Sequence, residues 1–298
     1  MINYKLLKDN GIVPKSVSKI NNSYLVDTGS NKYILKKRND SLDDKFSYLL
    51  SRGFDYFPRH TSIGNYDVFD YIDGGSLSLE ESLDEICSLT GLLHAKTTRY
   101  KNIDIDDYKI IYEGLLKDIE YLNQYYNELN DMIDNEIYMS PSNYLLVFNI
   151  SKIYSALSFC MNLLEEWYDL IKNSSKQRLV FIHNNLDVSH VISGTSPYLI
   201  SFNNSKVGMP IEDLVKLYNK YYNKIDFSTW LNNYQKRYPL REDELKLFFI
   251  KISIPDKIEF DFDEFENTKN VKLVLDKIYT GDKLIRPFFE KKWNFNTL

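Results

Sequence analysis

The sequence predicts an α+β chain in two lobes, a small β-rich one followed by a large helical one. Three observations predict it. Short β-rich runs broken by turn residues occupy the first lobe. Beyond Gly75 the apolar residues recur at helical spacing. One short β-like insert then interrupts the helices near residue 180. The Gly74-Gly75 pair marks a hinge, which divides the chain into lobes 1–73 and 74–298.

The elements follow in order. Ser23-Tyr-Leu-Val-Asp27 and Lys32-Tyr-Ile-Leu-Lys36 flank Thr28-Gly29-Ser30-Asn31, and two β-rich runs around such a tetrad read as a hairpin. Ser41 to Gly53 reads as a helix, with Ser41 as its N-cap, Asp43 and Asp44 in its first turn and Gly53 as its stop. Asp67 to Ile72 reads as a strand closed by Asp73-Gly74-Gly75. Helical periods then run over Leu83–Thr98, Tyr108–Ile133 and Tyr144–Lys172. Arg178–His183 and Tyr198–Phe202 form one small hairpin, and helices resume at Ile211.

Composition narrows the function classes. Of 298 residues only 11 are glycine, against 24 Tyr, 17 Phe and 3 Trp, so the chain is rich in core material and poor in the residue that lets backbone approach a phosphate. Lys plus Arg is 37 and Asp plus Glu is 42, a formal net charge of −5, which argues against nucleic acid as the main ligand. Cys87 and Cys160 lie in separate apolar helical stretches and read as buried free thiols. The first residues lack the regions of a signal peptide, and no run approaches a membrane span in uninterrupted apolar residues. A soluble, cytoplasmic protein without a membrane partner is expected.

Four segments carry a resemblance. They are Lys32-Tyr-Ile-Leu-Lys36, the helix Leu89-Thr-Gly-Leu-Leu-His-Ala-Lys-Thr97, the loop His183-Asn-Asn-Leu-Asp-Val-Ser-His-Val191, and Leu199-Ile-Ser-Phe-Asn-Asn204 with Gly208-Met-Pro-Ile-Glu-Asp-Leu214. In order and spacing they resemble the nucleotide-lysine strand, the L-x-x-L-H-x-x-T helix, the H-G-D-x-x-x-x-N catalytic loop and the I-D-F-D…G-x-P-x-x-D-L run of aminoglycoside phosphotransferases and choline kinase-like relatives. Tyr238-Pro-Leu-Arg-Glu-Asp-Glu-Leu-Lys-Leu, running into Ile254-Pro-Asp-Lys, resembles the CotS-type spore coat branch. The resemblance covers nearly the whole chain and implies a two-lobed, protein-kinase-like fold.

It also implies a site, and this sequence departs from it there. Phosphoryl transfer depends on positioned charge, above all a carboxylate for the nucleophile's proton and hard oxygen ligands for magnesium. The family's catalytic Asp is Asn185, an amide that accepts no proton near neutral pH; losing such a group costs about 10²–10⁴-fold in rate. The two metal positions fall to His190, where the family has Asn, and Ser201, where it has Asp. Asp187 is the nearby acid that would have to compensate, with Asn203 beside it, and His183 would brace the loop.

By the same resemblance Lys36, with Lys37 as its rival, would face the nucleotide, paired with Asp43 or Asp44 from the following helix. No glycine stands between Gly11 and Gly29, where a phosphate-cradling loop would lie, and the family's catalytic-loop glycine is Asn184. Away from this constellation, His94 reads as a packed core histidine. Ile258 to Glu266 reads as an amphipathic element with a solvated acidic face, or as a docking surface for a cationic partner.

Two functions follow as expectations. The first is a catalytically inactive kinase-fold protein, structural or binding in role, with other proteins as partners and, on the CotS-type resemblance, a place in the spore coat. No cofactor is expected on this reading. The second is an active ATP- and Mg²⁺-dependent phosphotransferase with displaced residues, its acceptor an amino sugar, a choline-like amine or a related alcohol held in the cleft between the lobes.

Overall fold

The computed structural model describes residues 4–38, 42–75, 77–102, 105–194 and 196–293. Ser41, expected as an N-cap, lies outside them. The chain forms two compact units. The first comprises residues 1–98, 180–208 and 233–238; the second comprises 99–179, 209–232 and 239–298.

The first unit opens with helix α1 (Tyr4–Asp9) and a five-stranded sheet of β1 (Ser16–Ile20), β2 (Ser23–Asp27), β3 (Lys32–Lys37), β4 (His60–Ile63) and β5 (Tyr66–Asp70). The order is β1-β2-β3-β5-β4, every pair antiparallel. The β2–β3 hairpin forms where the turn tetrad predicts it, with Gly29 at φ +89°, a conformation that costs glycine nothing. Leu7, Ile12, Val26, Leu35, Ile63 and Val68 make the core over one face of this sheet.

Helix α2 (Asp43–Ser51) follows β3 and stops before Gly53 at φ +72°. Its first residue is preceded by Leu42, which makes no side-chain cap. Helix α3 (Leu79–Thr97) begins four residues before the apolar period suggests. The cause is a capping box: Glu81 N–H donates to the Ser78 hydroxyl at 3.2 Å, and Ser78 N–H donates to the Glu81 carboxylate at 2.8 Å. His94 on α3 is buried and bonded to the Tyr234 hydroxyl at 2.6 Å, the packed core histidine expected.

The small hairpin expected from 178–183 and 198–202 does not form between those runs. Within the first unit, residues 180–182 of strand β7 (Lys176–Ile182) pair with β10 (Lys206–Gly208), and β9 (Pro197–Leu199) pairs with β8 (Val191–Ser193). The physical reason is that the intervening chain turns twice through 3-10 geometry, at Val188–His190 and Phe202–Asn204, so each run meets a nearer partner.

The second unit is helical. It holds β6 (Arg99–Asn102), which pairs with residues 176–179, then α4 (Ile105–Asp134), α5 (Pro141–Ile171), α6 (Ile211–Tyr221), the start of α7 (Phe227–Arg237), α8 (Glu242–Ser253) and α9 (Glu264–Trp293). Buried Leu115, Ile119, Leu122, Tyr126, Leu129 and Ile133 on α4 recur every three or four residues, with Tyr108 buried two turns before them, the seam of a helix pair. Helix α5 packs against α4, α8 and α9. By length and composition α5 is also apolar enough to cross a membrane, which counting uninterrupted apolar residues does not register.

The Tyr-Pro-Leu-Arg-Glu-Asp-Glu run opens α8, and its local structure explains its composition. Arg178 donates to the Glu244 carboxylate through Nε at 2.8 Å and also through its terminal nitrogen, which reaches the Pro239 carbonyl at 2.9 Å. One guanidinium fork thus fixes both the entry to α8 and its first turn. Cys87 and Cys160 are buried free thiols, as expected.

Candidate functional site

The residues singled out from the sequence fall largely in the first unit. Lys36 is half-buried on β3, directly across the ladder from Asp67 on β5. Burial pushes its ammonium below the ordinary lysine value, and Asp67 pulls it partly back. Lys37 next to it is exposed. Asp44 is exposed on α2 and makes no ion pair with Lys36 among the described residues.

Asp43, the other acid considered for Lys36, is held elsewhere. Ser62 donates its hydroxyl to both carboxylate oxygens at 2.8 Å, Arg38 pairs with it, and His60 Nδ1 lies 3.5 Å away. The Ser62 hydrogen bonds first, then Arg38 and His60, hold its carboxyl below the usual carboxylate range. His60 Nε2 is 3.0 Å from Asp67 Oδ1, and Arg38 Nε is 3.9 Å from the same atom. Asp67 is fully buried, and its Oδ2 has no hydrogen-bond partner. Asp67, His60, Asp43, Arg38 and Ser62 thus form one bonded cluster, and Lys36 stands beside it with its ammonium 5.8 Å from the Phe69 ring centroid, influenced by Asp67 through its charge. Sequence reasoning missed His60 and Asp67 as a pair. The available signal was an acid inside the apolar run Tyr-Asp-Val-Phe, since a carboxylate is rarely buried unless paired.

Where a phosphate-cradling loop would lie, the chain makes a two-residue turn. Ile20 faces Ser23 in the β1–β2 register, and Asn21 takes φ +51°. Asn stands here in the left-handed region it tolerates better than most side chains.

The loop 183–190 is built around backbone acceptors. His183 is buried, donates Nε2–H to the Ile200 carbonyl at 2.8 Å, and meets the Phe202 ring edge-on at 4.8 Å. Asn184 stands at φ +62°, a conformation glycine adopts freely, and its amide donates to the Asn204 carbonyl at 3.0 Å. Asn185 is half-buried, and its carbonyl accepts from His190 Nδ1 at 2.7 Å. Asp187 caps the first 3-10 turn: its Oδ1 accepts from the Ser189 N–H at 2.8 Å and hydroxyl at 2.6 Å.

Ser201 stands at φ +70°, ψ +43°, ahead of the second 3-10 turn. Phe202 beside it is buried under α2, with ring centroids 5.6 Å from Phe46 and 6.0 Å from Phe57. Much of the aromatic content of this unit therefore serves to seat this turn. Lys45, also on α2, donates to the Asn203 carbonyl at 2.7 Å and lies 3.5 Å from that of Phe202.

These groups do not fit a magnesium ion. Ser201 brings no charge, the amide side chain of Asn203 brings none either, and His190 Nδ1 is spent on the Asn185 main-chain carbonyl. Among the described residues no group of three or more His, Cys, Asp or Glu could hold a metal. The cation at this turn is the chain's own Lys45.

No family model matches the sequence, and no curated protein matches it. Solved structures do. The chain is similar to the crystal structure of an aminoglycoside phosphotransferase from Alicyclobacillus acidocaldarius, at 12% identity over 98% of this chain and 97% of that one, with a TM-score of 0.70. It is similar also to the AMP-bound complex of a spectinomycin phosphotransferase, at 14% identity over 93% and 96%, with a TM-score of 0.52. The fold is the α+β, two-lobed, protein-kinase-like fold. At such identities the likeness extends to fold alone. In this chain the backbone is left-handed at 184 and 201, where the side chains are Asn and Ser.

Proposed function

We propose that this chain is a kinase-fold protein that does not transfer phosphate and acts as a structural or binding component. One observation carries the proposal. In the loop 183–191 the only carboxylate is Asp187, and it is folded back onto Ser189 as a turn cap, while the residue that the resemblance aligns with the proton acceptor is Asn185. An amide cannot take the nucleophile's proton, and the neighbouring turn is bonded through its main-chain carbonyls to the Lys45 ammonium.

On the resemblance of 238–257 to the CotS-type branch, the proposed setting is the spore coat, with other proteins as partners. The rival reading is an ATP-dependent small-molecule phosphotransferase. It is favoured by the retention of a half-buried lysine, Lys36, on β3, and it would require Asp187 to leave its cap and serve as the base.

The test is phosphoryl transfer from ATP by wild type and by Asn185→Asp, Ser201→Asp and Asp187→Ala variants, together with melting curves at millimolar ATP with and without Mg²⁺. The proposal expects no nucleotide- and magnesium-dependent shift and no turnover in wild type. Clear wild-type transfer that disappears in Asp187→Ala would overturn it and establish the phosphotransferase.

A further inference from the structure

One corner of the second unit combines exposed aromatic side chains with acidic charge. Ile137 and Tyr138, between α4 and α5, are each 90% exposed, and on the first turns of α5 Tyr144 and Phe148 are 62% and 75% exposed. The last two stand one helical turn apart with their rings stacked at 6.0 Å. At the start of α9, Phe262 and Phe265 are 58% and 75% exposed. The expectation that 258–266 sorts apolar residues inward is therefore wrong for these two rings: only Ile258 is buried, because the segment is irregular before α9 and has no strand period to sort it.

Two sets of hydrogen bonds gather these segments at one place. The Glu264 carboxylate accepts from the Ser142 N–H at 2.5 Å and its hydroxyl at 3.1 Å, which fixes the start of α9 against the start of α5. Asn143 donates to Glu136 at 2.9 Å and fixes the α4–α5 loop to the same point.

The segments that carry the rings are acidic in sequence. Residues 118–151 contain six acids and no Lys, Arg or His, and residues 258–268 contain five acids and none of those bases, while the whole chain has a formal net charge of only −5. Three cations border the stretch: Lys152, one turn on from Phe148, donates to the Asn149 side chain at 2.8 Å, Lys257 lies 4.8 Å from the Tyr125 ring centroid, and Lys269 binds Glu266 at 3.0 Å. An exposed aromatic cluster rimmed by charge is the composition of a protein-binding surface, in which rings supply the affinity and the rim supplies orientation and rate.

We propose that this corner docks a basic, amphipathic segment of another protein, its apolar side chains on Tyr144, Phe148 and Phe265 and its Lys or Arg residues on the acids around them. Charge complementarity selects this occupant. A second copy of the chain would set acids against acids, and an anionic membrane surface would be repelled. The inference extends the binding-component reading but stands on the second unit alone, so it holds whether or not the first unit transfers phosphate.

The test uses the full chain and a labelled synthetic helical peptide of Lys, Leu and Trp, about 18 residues or five turns long. Its controls are the same peptide with Glu for Lys and a scramble without an apolar face. Anisotropy titrations are expected to show binding of the Lys peptide alone, weakening as salt rises. The Phe148→Ser/Phe265→Ser variant should bind at least about tenfold more weakly, and Asp131→Lys/Asp261→Lys should bind more weakly and lose most of the salt dependence. Circular dichroism melts establish that each variant is folded.

Equal binding of the Glu peptide, or binding unchanged in both folded variants, would overturn the surface. So would a wild-type dimer in sedimentation that is lost in Phe148→Ser/Phe265→Ser. Phosphoryl transfer by the same wild-type sample would overturn the inactive reading and leave the surface standing.

Discussion

Lys45 donates to the carbonyl of Asn203 at 2.7 Å, across 158 residues of sequence. The bond ties α2 to the 3-10 turn Phe202–Asn204. Lys45→Met leaves the Asn203 carbonyl without this donor and is expected to cost about 1.5–3 kcal/mol, the range for hydrogen bonds to charged groups. Urea melts measure it. Millimolar Mg²⁺ should leave wild type unshifted and should not restore the variant; a magnesium-dependent rise in either would show that the turn still takes a divalent cation.

Ser201 holds a left-handed conformation without glycine's freedom or the local hydrogen-bonding that lets Asn and Asp occupy it. Ser201→Gly is therefore expected to stabilise the protein by about 1 kcal/mol, read as a rise in melting temperature of about 2 °C. A fall of similar size would mean that the turn is held by the serine side chain rather than strained by it.

Burial pushes the thiols of Cys87 and Cys160 up to about 12 from an ordinary value of 9.0. Both states hold these protons below pH 9, so the contribution to stability is fully present there. Between pH 9 and 12 the unfolded chain releases them and the folded chain does not, so stability falls as pH rises through that window. The urea midpoint is expected to decline over it, and less steeply in Cys87→Ala/Cys160→Ala than in wild type. At pH 8 neither native thiol should react with a thiol reagent, and both should react after unfolding.

Much of the fold was legible from local pattern. The Thr-Gly-Ser-Asn turn placed the β2–β3 hairpin, Gly53 ended α2, and the apolar periods placed the long helices to within a few residues. The pairing of β7 and β9 was misread, because strand partners depend on how the chain turns between them and not on the runs themselves. The placement of Lys36's acid was illegible for a related reason. Asp44 is nearer in sequence, but ladder register sets Lys36 opposite Asp67, 31 positions on.

The glycine scarcity acquires a structural form in the same way. Left-handed backbone occurs at Asn184, where the resemblance implies glycine, and also at Ser201 and at Asn21 in the β1–β2 turn, none of them glycine. The sequence by itself determined which chemical groups stand in the two loops: an amide at 185, an imidazole at 190, a hydroxyl at 201. Side-chain identity needs no geometry, and an absent carboxylate stays absent in any fold. Only the tertiary structure decided what those groups touch. It turned Asp187 onto Ser189, brought Lys45 to Asn203, buried Asp67 between Lys36 and His60, and set Phe148 and Phe265 in solvent at one corner. The physical reason is that hydrogen bonds and burial act over a few ångströms in space, and only the folded backbone brings residues 31, 122 or 158 positions apart within that range.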